Sequence, residues 1–305
     1  MTPTLELRGI LPAVITPFTE DGLRIDVEAL RTHVRRLVDA GCGGLIPGGT
    51  TGEFAALTID ERKLLHETVI SAAGGEVPVL PQTGALTAVE AIELTQHAQR
   101  SGAAGVMVIP PFFDELTFAE IRSYYVAVAD AVEVPVMLYN IPGATGQHLS
   151  PGQLAELASV PGVTSIKDSG ADATALTALL LEHGDDVQVV NGWDTFTFLG
   201  LASGAQASVW GAANIFPELA VELFETIVDR EDLKAGRALW RRLFPVVEFL
   251  EKQSYATRVK TACALQGKRV GPVRAPLLPL PAEDEALLVE LLEAADLLPA
   301  DALVR

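Results

Sequence analysis

Cysteine is scarce, with only Cys42 and Cys263 in 305 residues. Two thiols exclude a disulfide scaffold and a multi-cysteine zinc module, and they fit a reducing compartment, so a cytoplasmic location is expected. Basic residues are also few, 22 against 40 acidic ones, for a formal charge of −18. Phosphate contacts need clustered Lys and Arg, which removes nucleic acid and anionic membrane from the expected partners. An anionic ligand would have to be held by local amide and hydroxyl donors against an opposing global field. His33, His66, His97, His148 and His183 show no H-x-x-x-H spacing and no adjacent carboxylate cluster, so no metal site is expected. No Gly-x-Ser-x-Gly elbow is present, against a serine hydrolase. No lysine follows the glycines of Gly48-Gly49-Thr50-Thr51-Gly52-Glu53, against a nucleotide P-loop. Met1–Arg8 lacks the apolar run of a secretory signal. Thr195–Pro217 carries no charge, but Gly200, Gly204, Gln206, Gly211 and Asn214 break it into a helix and a strand rather than a membrane span.

What is abundant is apolar sequence in short runs. Hydrophobic residues make up 49% of the chain and charged ones 20%, enough to bury a sizeable core. Candidate strands at 10–15, 43–47, 78–82, 105–109, 135–140, 163–167, 187–191 and 207–210 alternate with amphipathic stretches. In 27–40, Val27, Leu30, Val34, Leu37 and Val38 recur at helical spacing. Strands joined by crossover helices pair in parallel and read as continuous apolar runs. The chain also repeats itself: Glu76-Val77-Pro78-Val79 returns as Glu133-Val134-Pro135-Val136, and Gly41-Cys42-Gly43-Gly44-Leu45 is echoed by Gly102-Ala103-Ala104-Gly105-Val106. Eight βα units match a (β/α)8 TIM barrel better than a doubly wound sheet, whose G-x-G-x-x-G fingerprint is missing. After residue 228 strand signals stop. Asp232–Leu250, Ser254–Leu265 and Glu283–Ala295 read as helices, so the expected division is a barrel over 1–228 and a C-terminal helical extension over 229–305.

In such a barrel chemistry sits where strands end. Strand alternation puts Val163, Ser165 and Lys167 on one face; if that face is the interior, an amine is aimed into a desolvated pocket. A lysine there is a nucleophile for a carbonyl and forms a Schiff base. The same letters fit a strand-edge lysine that reaches solvent or pairs with Asp168. Met137 and Tyr139 share a face of the preceding strand, which places the phenol beside Lys167 as a proton relay. A rim tyrosine bonded to a carbonyl fits equally. The Gly48–Glu53 loop, with Gly49 and the hydroxyls of Thr50 and Thr51, suits a carboxylate or phosphate held without a cation, or a plain turn that Glu53 braces.

The Gly-Thr-Thr-Gly-Glu loop, the Tyr139-Asn140-Ile141-Pro142 strand end and a lysine 28 positions after that tyrosine together resemble the dihydrodipicolinate synthase / N-acetylneuraminate lyase family of class I aldolases. The likeness covers nearly the whole chain, including Gly271-Pro272-Val273-Arg274-Ala275-Pro276-Leu277. It implies that Lys167 forms an imine with pyruvate or the 2-oxo group of a substrate, and that Tyr139 shuttles the proton. Thr50 and Thr51 would bind the carboxylate, and Ala207 would lie against the pyruvate moiety. No metal or other cofactor is implied, and the assembly would be a homotetramer or homodimer. Departures are equally informative. The synthases carry an arginine where this chain has Ala144 and a neighbour-supplied tyrosine where it has Phe113, and a phenyl ring relays no proton. The lyases have a Gly-x-Asp-Glu stretch where this chain has Gly192-Trp193-Asp194-Thr195, and a serine where it has Gly211. Asp194 and Ser169 are then expected to bind a shorter hydroxylated tail, or to cap helices. The expected activity is a pyruvate-linked carbon–carbon lyase on a 2-keto-3-deoxy sugar acid or 4-hydroxy-2-oxoglutarate. The alternatives are 4-hydroxy-tetrahydrodipicolinate synthase, a 2-keto-3-deoxy acid dehydratase using the same imine, and a non-catalytic keto-acid-binding barrel.

Overall fold

The apolar runs form parallel strands, and the amphipathic stretches between them form the joining helices. In the computed structural model, which describes residues 5–299, seven strands are regular: β1 (Gly9–Val14), β2 (Ile46–Pro47), β3 (Val106–Val108), β4 (Val136–Asn140), β5 (Val163–Asp168), β6 (Gln188–Asn191) and β7 (Ala207–Trp210). They lie in the order β2-β1-β7-β6-β5-β4-β3, and their pairings are parallel. Residues 78–83 span the gap between β2 and β3. There the Leu80 and Gln82 amides donate to the Leu45 and Pro47 carbonyls, and Thr83 and Met107 donate to Met107 and Pro81, all at 2.9 Å. This segment is the eighth stave of an α/β barrel. The strand expected at 78–82 is irregular because Pro78 and Pro81 have no N–H to donate.

Helices α1 (Val27–Asp39), α2 (Ile59–Ala73), α3 (Ala88–Arg100), α4 (Phe118–Asp130), α5 (Pro142–Thr145), α6 (Pro151–Ala158), α7 (Ala173–His183), α8 (Thr197–Ala202) and α9 (Pro217–Phe224) belong to the barrel crossovers. Their starts are fixed by side chains that satisfy otherwise unpaired amides. Thr58 with Glu61, Thr117 with Glu120 and Ser150 with Gln153 form reciprocal capping boxes on α2, α4 and α6. Asp26 and Asp172 cap α1 and α7. The uncharged 195–217 stretch resolves into α8 and β7, and no helix among the described residues is long and apolar enough to cross a membrane.

The barrel interior is filled by Leu11, Ala13, Ile46, Leu80, Met107, Met137, Tyr139, Val190, Ala207 and Val209. Val163 departs from the expected face. It packs outside, with Val136, Leu138 and Ile166, because the register shifts by one residue between Val136/Met137 and Val163/Ser165. Such a bulge inverts the alternation locally while leaving Ser165 and Lys167 in phase. After the barrel come α10 (Leu233–Leu250), α11 (Tyr255–Leu265) and α12 (Ala282–Ala294). Their apolar faces join Trp210, Phe216 and Leu223 of the barrel in one cluster with Leu243, Val247, Val259 and Leu288. This packing holds the α10–α11 junction over the C-terminal ends of the strands.

Candidate active site

Adjacent parallel strands place equal positions side by side, and β4 and β5 pair Tyr139 with Lys167 and Asn140 with Asp168. Lys167 is 5% exposed and Tyr139 3%, and the ammonium nitrogen lies 3.8 Å from the centre of the phenol ring. Among the described residues Lys167 takes part in no ion pair. Its neighbour Asp168 is committed elsewhere, accepting from Asn140 Nδ2 at 2.6 Å and the Gly170 amide at 3.2 Å. The reading of Lys167 as a solvent-reaching or Asp168-paired lysine is thereby set aside. Space for the lysine is reserved by Gly192, where a Cβ would sit 2.6 Å from Lys167 Cε and 2.5 Å from Ser169 Oγ.

Lys167 opens into a cavity of about 160 Å³ at the strand ends. Of the residues expected at the site, Thr50, Thr51, Tyr139, Lys167, Ser169 and Asp194 line it. Ala207 does not. It is buried in the barrel core, and Val209, two residues nearer the C-terminal end of β7, takes its place in the wall. Gly49 is likewise not in the wall. A larger open groove of about 930 Å³ runs between α11 and α12, but the one titratable cation in it, Lys260, is already ion-paired.

The β2 loop presents donors. Glu53 and Phe54 donate to the carbonyls of Thr50 and Gly49, whereas the amides of Gly49, Thr50, Thr51 and Gly52 have no backbone partner among the described residues. Unpartnered amides beside the Thr50 and Thr51 hydroxyls suit a carboxylate. Glu53 braces this loop from beneath. It is buried, adopts a left-handed φ of 58°, and accepts from Lys260 Nζ at 3.0 Å and the Arg274 amide at 2.9 Å. Arg274 in turn grips Glu61 through two bonds of 2.7 Å. The Gly271–Leu277 segment therefore serves to lock the loop in place.

The opposite wall comes from residues that strand-end reasoning did not single out. Glu251 and Tyr255, at the α10–α11 junction, line the cavity with Trp193, Ile141 and Gly211. Between them Ser254 holds a left-handed φ of 61°, a strained conformation for a residue with a Cβ. The Tyr255 hydroxyl donates to Asp194 Oδ2, which also takes the Ala212 amide at 3.0 Å, while Oδ1 takes the Gly211 amide at 3.2 Å. Asp194 thus takes three hydrogen bonds and organises the wall. Burial pushes its carboxyl up to about 6. Glu251 is pushed up to about 7, first by burial and then by the charge of Asp194, and it accepts from Thr195 N at 2.9 Å and Thr195 Oγ1 at 2.6 Å. Residue 211 must be glycine, because a Cβ there would meet the Tyr255 hydroxyl at 2.2 Å. The chain's departure from serine at 211 and the tyrosine at 255 are thus one structural fact. Among the described residues no group of His, Cys, Asp and Glu is placed to hold a metal.

Comparison with known proteins agrees with this geometry. The family model described as the dihydrodipicolinate synthetase family matches residues 6–295. A 4-hydroxy-tetrahydrodipicolinate synthase of Methanospirillum hungatei is 35% identical over 271 residues, covering 88% of this chain and 92% of that one. An uncharacterized DapA-like lyase of Halobacterium salinarum is 37% identical over 284 residues, 93% of this chain and 92% of its own. Among solved structures, YagE of Escherichia coli K12, a prophage protein of the dihydrodipicolinic acid synthase family in complex with pyruvate, superposes with a TM-score of 0.90. It is 32% identical, and the match covers 95% of this chain and 99% of that one. The chain belongs to the dihydrodipicolinate synthetase family and is an enzyme, a lyase of the class I aldolase type.

Proposed function

We propose that this lyase cleaves or forms a 2-oxo acid with pyruvate as one partner, through an imine on Lys167, and that its substrate is a 2-keto-3-deoxy sugar acid or 4-hydroxy-2-oxoglutarate. The observation that carries the reading is the Lys167–Tyr139 pair: a buried amine without an ion-pair partner, 3.8 Å from a phenol ring, at the floor of a strand-end cavity. The pyruvate bound in the Escherichia coli relative supports the small 2-oxo acid as ligand.

In the cleavage direction the Lys167 amine attacks C2 of the substrate and water leaves, giving an iminium. Tyr139 takes the proton of the C4 hydroxyl as the C3–C4 bond breaks. The electron pair of that bond moves into the iminium to give an enamine, and the aldehyde departs. Protonation of the enamine at C3 and hydrolysis release pyruvate and free the lysine. The donors of Thr50 and Thr51 hold the C1 carboxylate throughout.

The curated name of the Methanospirillum relative favours a second reading, the synthase itself. Against it stand Ala144, which brings no guanidinium for a second carboxylate, and Phe113, which brings no phenol. A dehydratase would use the same imine and expel water instead of an aldehyde. A non-catalytic barrel would bind pyruvate without exchanging its methyl protons. Phe113 is 86% exposed on the single chain, which supports the homodimer or homotetramer that the resemblance implies.

The test is a panel of 2-oxo acids with pyruvate release as readout, alongside exchange of pyruvate methyl protons in heavy water. The wild type exchanges and releases pyruvate, and Lys167→Ala does neither. Exchange that survives in Lys167→Ala overturns the assignment, and release of water rather than aldehyde moves it to the dehydratase.

A further inference from the structure

The polar groups of the cavity are sorted by direction. On the β2 side, opposite β5 in the ring of eight staves, stand donors: the unpartnered amides and the hydroxyls of Thr50 and Thr51. On the far side, beyond Lys167 and the Trp193 indole, three groups present acceptor capacity: Ser169, Tyr255 and Glu251. Ser169 Oγ gives its hydrogen to the Gly192 carbonyl at 2.7 Å, and a carbonyl can only accept, so the serine offers lone pairs to the cavity. Tyr255 gives its hydrogen to Asp194 and offers the same. Glu251, held in the wall by two bonds from Thr195, takes part in no ion pair among the described residues. It also ends α10, where the helix macrodipole already disfavours negative charge, and it faces a second carboxylate. A carboxylate kept in such a position without a cation is a mark of function rather than of stability.

We infer that Glu251 is a specificity-determining residue: with Ser169 and Tyr255 it accepts hydrogen bonds from hydroxyl groups at the far end of the substrate and excludes substrates that end in carboxylate or phosphate. A hydroxylated tail brings donors that satisfy these lone pairs. Above about pH 7, where both carboxyls are ionised, an anionic tail brings only acceptors, so its charge is left unpaired beside Glu251 and Asp194. The inference rests on the proposed aldolase reading and divides its two candidate substrates, favouring the 2-keto-3-deoxy sugar acid over 4-hydroxy-2-oxoglutarate, which ends in a carboxylate.

The experiment runs the reaction in the condensation direction at pH 8, where Glu251 is ionised, with pyruvate and two aldehydes, D-glyceraldehyde and glyoxylate, for wild type, Glu251→Gln and Glu251→Asp. For the wild type, kcat/KM with glyceraldehyde exceeds that with glyoxylate by about a hundredfold, the size of a lost charge-assisted bond. Glu251→Gln lowers that ratio about tenfold or more, with the glyoxylate rate rising, and Glu251→Asp restores most of it. A merely structural Glu251 would lower both rates together, and an unmoved ratio overturns the inference. If the variants do not fold, a wild type that prefers glyoxylate, or treats the two alike, overturns it unaided. Pyruvate and borohydride with the wild type separate the two failures. Absence of a lysine adduct sinks the aldolase reading and the inference with it, whereas an adduct with an unmoved ratio sinks the inference alone.

Discussion

Lys260→Met isolates the brace beneath the Gly48–Glu53 loop. Lys260 and Glu53 are both buried, and the ammonium spends its three donors on Glu53 Oε1 at 3.0 Å, Thr16 O at 3.0 Å and Pro272 O at 2.6 Å. Burial pulls the Lys260 ammonium below the ordinary lysine range, with Glu53 opposing, so the pair is held by its geometry rather than by solvent. Removing one partner of a buried pair leaves the other charged and desolvated, at a cost of about 3–5 kcal/mol. Unfolding entropy of about 2.1 cal/mol/K per residue gives roughly 0.64 kcal/mol/K for a chain of this length. The expected fall in Tm is then about 5–8 °C. The double variant Glu53→Gln/Lys260→Met, which removes both charges, loses less than Lys260→Met alone. Calorimetry at fixed protein concentration measures both, and a KM for pyruvate raised more than kcat is lowered reports the loosened Thr50–Thr51 loop. A Lys260→Met protein that melts within a degree of wild type, with unchanged KM, refutes the brace.

Tyr139→Phe keeps the ring beside Lys167 but not the proton, so turnover falls by about 10²–10⁴ while pyruvate is still trapped by borohydride; equal loss of trapping would mean that the phenol builds the imine site rather than moving the proton. Gly192→Ala puts a methyl group 2.6 Å from Lys167 Cε, and the account expects loss of adduct formation with about 1–3 kcal/mol of destabilisation, against which full trapping would count. The raised carboxyls give a signed pH dependence. Folded Asp194 and Glu251 hold protons up to about 6 and about 7 that the unfolded chain releases near its ordinary carboxyl values, so their contribution to stability falls as pH rises through that window. The Tm of Glu251→Gln relative to wild type should therefore be higher at pH 8 than at pH 5, and the opposite slope would show that Glu251 is not held protonated by its surroundings.

The barrel was legible because each unit repeats the same physics: an apolar run, a capped amphipathic helix, a turn. The Lys167–Tyr139 pairing was legible for a related reason, since strand alternation and neighbouring strands suffice to bring Tyr139 to Lys167. Two things were not. The bulge at Val163–Ser165 leaves no mark in a run whose every residue tolerates either face, and it turned Val163 outward. The acceptor wall was hidden because Glu251 and Tyr255 sit in helices whose spacing reads as ordinary surface and core, and nothing local says that the α10–α11 junction folds back over the strand ends. The nearest signals were Gly211 and the short break at 251–253 between two helical patterns. For Asp194, a sequence does not show that Tyr255 and the Gly211–Ala212 amides bond to its oxygens.

The most direct measurement is peptide mapping of the wild-type enzyme after pyruvate and borohydride. The account predicts one pyruvyl adduct, on the peptide carrying Lys167, and none in Lys167→Ala. An unmodified Lys167 peptide, or an adduct on Lys260 or Lys268 instead, contradicts it.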